Sequence, residues 1–279
     1  MSDQALISLV LALGDDELVL GHRHSEWTGY SPYIEEDVAF SSIAQDEIGH
    51  AAALYGIVAK MSDGDPDALG LGREKGDYRN AILCERKNGD WAYTLARHWL
   101  YDTAEEVRLE ALEDSAHEEL AALATKMRRE ERYHQLHANM WMNRVAEGPV
   151  EGRTKLIEGL HDAFSEAMGL FEPLEHEEEA LKAGWLPVSS EELRSRFAQR
   201  AGSALDELGL PTEVRGALDQ SAEFVASSSG DLIAEEGTHD GDRAKPSGLG
   251  GRRGQHTEDF DQLWDDLTYT YRHNPGATW

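Results

Sequence analysis

The sequence has a single cysteine, Cys84, among its 279 residues. No disulfide within the chain is possible, and nothing calls for an oxidising compartment. It has no apolar run near the length of about 18 residues that a membrane-spanning helix needs. The start, "MSDQALISLVLALGDD", is partly apolar but has no basic beginning and no cleavage site. It reads as the first turns of a helix. Basic residues are scarce, 26 against 54 acidic, for a net charge of -28. That argues against nucleic-acid binding, which needs a basic face. Seven of the 26 are lysines and 19 are arginines. An acidic, lysine-poor surface fits a high-salt cytoplasm, where screening makes self-repulsion tolerable. An ordinary acidic protein fits the composition equally well. The expected location is cytoplasmic.

β-branched alternation is also scarce, so no sheet is expected. What is present is helical periodicity, almost without interruption to about residue 225. The spacing predicts helices over 3–27, 34–61, 90–115 and 117–145, with a short one near 78–85. "TGYSP", "SDGDPDALGLG" and "EGPVEG" read as breaks and loops. This is the layout of an all-α four-helix bundle. Further helices are expected over 154–171, 176–183, 190–208 and 212–227, punctuated by Pro173, Pro187 and Pro211. The Gly-rich, polar segment "GTHDGDRAKPSGLGGRRGQHTEDF" reads as a loop, ordered only if something holds it. An amphipathic helix and a coil to Trp279 follow. The expected organisation is one domain, 1–279, with a core bundle over about 3–147 and an extension over 148–279.

Several of the apolar stripes are interrupted by ligand-type side chains. On the second helix, Phe40, Ile43, Ala44, Ala51, Leu54, Ile57 and Val58 share a face, and Glu47 and His50 fall on it. Glu17 lies on the stripe of the first helix, Asp102 on that of the third, and Glu131 and His134 on that of the fourth. Four unpaired carboxylates in one core would be costly, several kcal/mol each. Two dications would neutralise them, with two imidazoles as further donors. Glu-x-x-His sets both side chains one turn apart on one face. A Glu from each of two helices and Glu-x-x-His from each of two others is the di-iron carboxylate pattern, here with Asp102 in place of one Glu. Carboxylate and imidazole without thiolate suits iron or manganese.

Spacing adds weight. Thirty residues separate Glu17 from Glu47, and 29 separate Asp102 from Glu131, as two similar hairpins would. Two other Glu-x-x-His pairs, Glu158/His161 and Glu236/His239, lack such a partner and read as surface residues. The alternative for the six is solvation or pairing with buried arginines such as Arg23, Arg97 or Arg132. His22, His24, His98 and His137 read as ordinary partly buried histidines, Tyr101 and Tyr133 as pointing to other faces, and Cys84 as an inert apolar filler.

Five stretches, "GDDELVLGHRHSEW", "SPYIEEDVAFSSIAQDEIGHA", "YRNAILCERKNGDWAYTLARHWLYD", "RREERYH" and "GGRRGQHTEDF" with the closing "NPGATW", carry a resemblance. The chain resembles the ferritin-like subunits of the bacterial and archaeal ring-1,2-phenylacetyl-CoA epoxidase, and most of all the C-type subunit. The resemblance implies a ferritin-like fold and a place in a multicomponent monooxygenase of phenylacetate catabolism. It implies a catalytic A-type subunit, a small B-type subunit and a flavin/iron–sulfur reductase as partners, NADPH-derived electrons, phenylacetyl-CoA as the substrate of the complex, and two iron ions. Typical C-type subunits of that family have lost most metal ligands, whereas "QDEIGHAAALY" and "REERYH" look like the catalytic subunit's ligand-bearing helices. A non-catalytic scaffold with an idle site, and a stand-alone di-iron oxidase or metal-storage bundle, are the competing expectations. No residue beyond the six is assigned a chemical role, and no CoA-binding motif is evident.

Overall fold

The computed structural model describes residues 2–228 and 248–277. Among these residues it is helical with no strand. The four long helices are α1 (Ser2–Ser25), α2 (Ile34–Ser62), α5 (Trp91–Leu112) and α6 (Glu118–Ala146), with α3 (Pro66–Leu71) and α4 (Ile82–Glu85) in the connection between the hairpins. The stretch expected to be an uninterrupted loop thus contains α3. Asp65 caps it by accepting from the backbone N–H of Asp67, and Pro66 supplies a preset φ at its first position. The bundle helices start and stop where local chemistry directs. Asp90 accepts from the Tyr93 N–H to cap α5, and His117 Nδ1 accepts from the Leu120 N–H to cap α6.

α1 packs closely along α2, and α5 along α6. The two hairpins face each other across a core that includes Leu9, Val10, Leu54, Leu100, Met127 and Met142. A second layer, α7 (Val150–Met168), α8 (Glu177–Ala183), α9 (Ser190–Glu207) and α10 (Thr212–Ser228), lies mainly against α5, with α8 reaching α1. All are joined by one continuous apolar cluster. No helix among the described residues is long and apolar enough to cross a membrane.

The polar segment expected to need an anchor has one, over the part that is described. Arg252 is buried and donates to both carboxylate oxygens of Asp16 on α1 (2.8 and 2.7 Å) and to the carbonyls of Arg79 and Leu170. The Gly250 N–H donates to Glu172 (2.8 Å), and His256 Nδ1 meets Glu85 at 2.7 Å. α11 (Glu258–His273) then packs near α1, α3 and α4. Trp279 and the pair Glu236/His239 lie outside the described residues.

Candidate metal centre

All six sequence-predicted ligands are buried: Glu17, Glu47, His50, Asp102, Glu131 and His134 are each 2 % exposed or less. They come from α1, α2, α5 and α6, as the stripes required. Glu17, His50 and Glu131 come closest, offering one donor atom each within 4.8 Å of one another. His50 Nδ1 stands 3.0 Å from Glu17 Oε2 and 3.6 Å from Glu131 Oε1. His134 Nδ1 lies 3.1 Å from Glu131 Oε1 but is not aligned as a hydrogen bond, for both atoms lack a partner of proper geometry. Both oxygens of Asp102 are likewise without a hydrogen bond. Glu47 shares both its oxygens with His24 Nδ1, at 3.0 and 2.9 Å.

Close approach of α1 to α2 makes this possible. A Cβ on Gly21 would meet Ile48 Cγ1 at 2.9 Å and Glu47 Cβ at 3.2 Å, so the residue facing Glu47 has to be small.

Neighbouring acids show what ordinary neutralisation looks like here. Asp15, Asp16 and Glu17 are consecutive and all fully buried. Asp15 pairs with Arg73, and Asp16 with Arg108 and Arg252. Despite burial, those two guanidinium groups hold the Asp16 carboxyl below its usual value. Glu105 pairs with Arg108. None of the four site carboxylates is paired with an arginine or lysine among the described residues; their only basic neighbours are histidines. Arg23 and Arg97, offered by the sequence as alternatives, go elsewhere: Arg23 to the Glu85 carbonyl and Glu26, Arg97 to the Arg86 carbonyl and the Asn88 side chain. Arg132 is exposed.

The electrostatic consequence is strain in the ionised carboxylates of Glu47 and Asp102 and a hold on protons at His50 and His134. Burial, then the charge of Glu17, pushes Glu47 well above the usual carboxylate range. Burial pushes Asp102 up to about 7. Burial opposes charge on His50, but hydrogen bonding and charge from Glu17, with Glu131 close by, raise it to about 9. Burial opposes charge on His134 too, and Glu131 and Asp46 override it in the same way. The side-chain set thus fits divalent cations: buried carboxylate oxygens, those of Asp102 and Glu131 without a hydrogen bond, converge with imidazole nitrogens, and no arginine or lysine among the described residues offsets them.

A surrounding layer was not legible in the ligand pattern. His50 Nε2 lies 2.9 Å from Glu130 on α6, and His134 Nε2 lies 3.3 Å from Asp46 on α2. Each imidazole therefore turns Nδ1 inward and is met on its outer nitrogen by an acid of the opposite helix. That outer bond fixes ring orientation and tautomer. The available signal was the acid immediately before each ligand Glu, in Asp46-Glu47 and Glu130-Glu131. Tyr101, expected to point elsewhere, donates its hydroxyl to Glu17 at 2.9 Å; Tyr133 is 73 % exposed, as expected. His24 and His98 are fully buried and stack edge-on at 5.1 Å, so they are not the partly buried histidines the sequence suggested. Burial, then His134, takes His98 down to about 3, and burial, then His98, takes His24 well below its ordinary value. Glu158 is exposed. Cys84 is buried with its thiol pushed up by burial, consistent with a filler.

The chain matches the family model described as "Phenylacetic acid catabolic protein" over residues 1–224. It is 28% identical over 275 residues to the C-type subunit of the 1,2-phenylacetyl-CoA epoxidase of Escherichia coli (strain K12), an alignment covering 98% of this chain and 99% of that one. A match over most of the length, on a helical bundle whose helices carry the expected side chains, settles the relationship: the chain belongs to the phenylacetic acid catabolic protein family.

Proposed function

We propose that this chain is a C-type subunit of a phenylacetyl-CoA epoxidase complex, a monooxygenase of phenylacetate catabolism, and that it keeps a di-iron-type centre. Full-length similarity to the E. coli C-type subunit supports the first part. The observation that carries the second is the division of buried acids: Asp15, Asp16 and Glu105 have arginines, while Glu17, Glu47, Asp102 and Glu131 have none among the described residues.

Glu17, Glu47, His50, Asp102, Glu131 and His134 would hold two iron ions, or manganese. Bound iron supplies redox chemistry with dioxygen, which no side chain here can perform. The chain's own part is positioning. Tyr101 restrains Glu17, and Glu130 and Asp46 orient the two imidazoles. Phe40 packs against His24, His98 and His137, and Trp91 packs against Phe40 and Trp141, an aromatic wall that would keep bulk water from that end. Electrons would come from NADPH through a separate flavin/iron–sulfur reductase, and the partners would be a catalytic A-type subunit and a small B-type subunit. The complex would act on phenylacetyl-CoA in the cytoplasm.

The test is metal analysis of the purified chain. About two irons per chain are expected in the wild type and none in Glu47→Ala/His134→Ala. Absence of metal from the wild type after anaerobic loading with Fe(II) would remove the centre and leave only the assignment to the complex.

The bond between Glu47 and His24 favours a second reading, in which the chain is a scaffold whose site is idle. That reading expects Glu47→Ala to leave turnover of the assembled complex unchanged.

A further inference from the structure

α2 and α6 run antiparallel, tied by Glu36 to His137, Asp46 to His134, His50 to Glu130 and Lys60 to Glu119. Their outward faces therefore lie side by side. Ten large apolar side chains stand exposed among the described residues. Six of them belong to this pair or its N-terminal approach: Tyr33, Ile34, Val38, Tyr133, Leu136 and Met140.

The charge of this face departs from the rest of the chain. Between Val38 and Ala52 the exposed positions of α2 are Val38, Ser42, Gln45, Gly49 and Ala52, with no charge among them. Between Ala122 and Arg144 no exposed position of α6 is acidic, and Arg129, Arg132 and Arg144 are exposed. None of these three arginines is in an ion pair with a described residue; Arg144 instead lies over the rings of Tyr33 and Trp141. In a chain of net charge -28, a surface that is apolar, carries only the partly exposed Asp46 and Glu130 as acids along its seam and is edged with unpaired arginines is not a solvated face by default. A groove of about 470 Å³ opens on its α5 side, lined by Glu106, Arg128, Glu131, Arg132, Tyr133 and Leu136. It leads from this surface to the ligand Glu131.

Charge selects the occupant. A two-fold contact of the face with itself would bring both copies' Arg129, Arg132 and Arg144 into one interface, against only Asp46 and Glu130, which His134 and His50 already engage. An acidic-edged partner is matched. We propose that the outer face of the α2–α6 pair docks a different helical subunit, one whose apolar stripe is bordered by carboxylates, and that this subunit covers the groove over Glu131. Naming that subunit as the A-type chain rests on the proposed function.

Co-purification of this chain with a tagged A-type subunit of its complex tests the assignment, with association followed by sedimentation at low and high salt. Leu136→Asp/Met140→Asp should weaken association at least tenfold, since both positions are exposed (68 % and 52 %) and neither supports the core. Arg129→Glu/Arg132→Glu should weaken it and reduce its salt dependence. Val150→Asp, at a still more exposed apolar position (81 %) outside α2 and α6, should bind as wild type. Unfolding curves of the variants should match wild type. Normal assembly by Leu136→Asp/Met140→Asp overturns the docking face and leaves the proposed function standing. A wild-type homodimer dissociated by those substitutions overturns the choice of a different partner. Failure of the wild-type chain to bind any A-type subunit removes the proposed function and the inference together.

Discussion

Asp46 Oδ2 on α2 lies 3.3 Å from His134 Nε2 on α6. The reciprocal bond, Glu130 on α6 to His50 on α2 at 2.9 Å, makes the arrangement nearly two-fold about the seam between the helices. Each Glu-x-x-His unit is oriented by the acid that precedes the ligand Glu of the other.

Asp46→Asn should therefore lower metal affinity without emptying the core. Outer partners of metal-bound imidazoles are worth about 10–100-fold in affinity. Competition against a chelator reads the change, and helicity should be unaltered because Asp46 is half exposed. Glu130→Gln should act similarly, through His50.

In the metal-free chain Asp102 and His50 each contribute stability that is lost as pH rises. Asp102 has an ordinary value of 3.8 and is raised to about 7 in the fold, so the folded state binds more protons between these values. Stability then falls from about pH 4 to about pH 7, by about 4 kcal/mol for that shift. His50, raised from 6.5 to about 9, contributes stability that is complete below about pH 6.5 and lost as pH passes 9. Below about pH 6.5 the buried His98, lowered to about 3, and His24, lowered well below its ordinary value, act in the opposite sense, so the contribution of Asp102 is read as a difference between variant and wild type. In urea unfolding with a chelator, Asp102→Asn should gain on wild type as pH rises from about 4 to about 7, and wild type should decline from about pH 7 to pH 9 as His50 titrates; bound metal should abolish most of both effects.

Arg252→Ala should destabilise by about 3–5 kcal/mol, because it leaves Asp16 buried with half of its charge partners gone. The measurement is the denaturant midpoint. Arg252→Lys should recover little, since one ammonium cannot reach both Asp16 oxygens and the carbonyls of Arg79 and Leu170 together.

Gly21→Val should push α1 away from α2 where Glu47 sits. Overpacking of this kind costs about 1–3 kcal/mol, and the displaced Glu47 should reduce metal affinity in the same competition assay.

The sequence alone determined the helices and which residues share an inward stripe, because a 3.6-residue period is a local property and Glu47, His50, Glu131 and His134 each declare their face by their neighbours. The paired spacings of the two hairpins, Glu17 to Glu47 and Asp102 to Glu131, were readable for the same reason. Only the tertiary structure decided which charges meet. Asp15, Asp16 and Glu17 are adjacent and equally acidic in the sequence, yet helix rotation sends two of them to Arg73, Arg108 and Arg252 and the third to Tyr101 and His50. Those partners lie 33 to 236 residues away, where no periodicity reaches. The crossed bonds of Asp46 and Glu130 and the arginine-edged apolar face of α2 and α6 likewise exist only once two distant helices pack side by side.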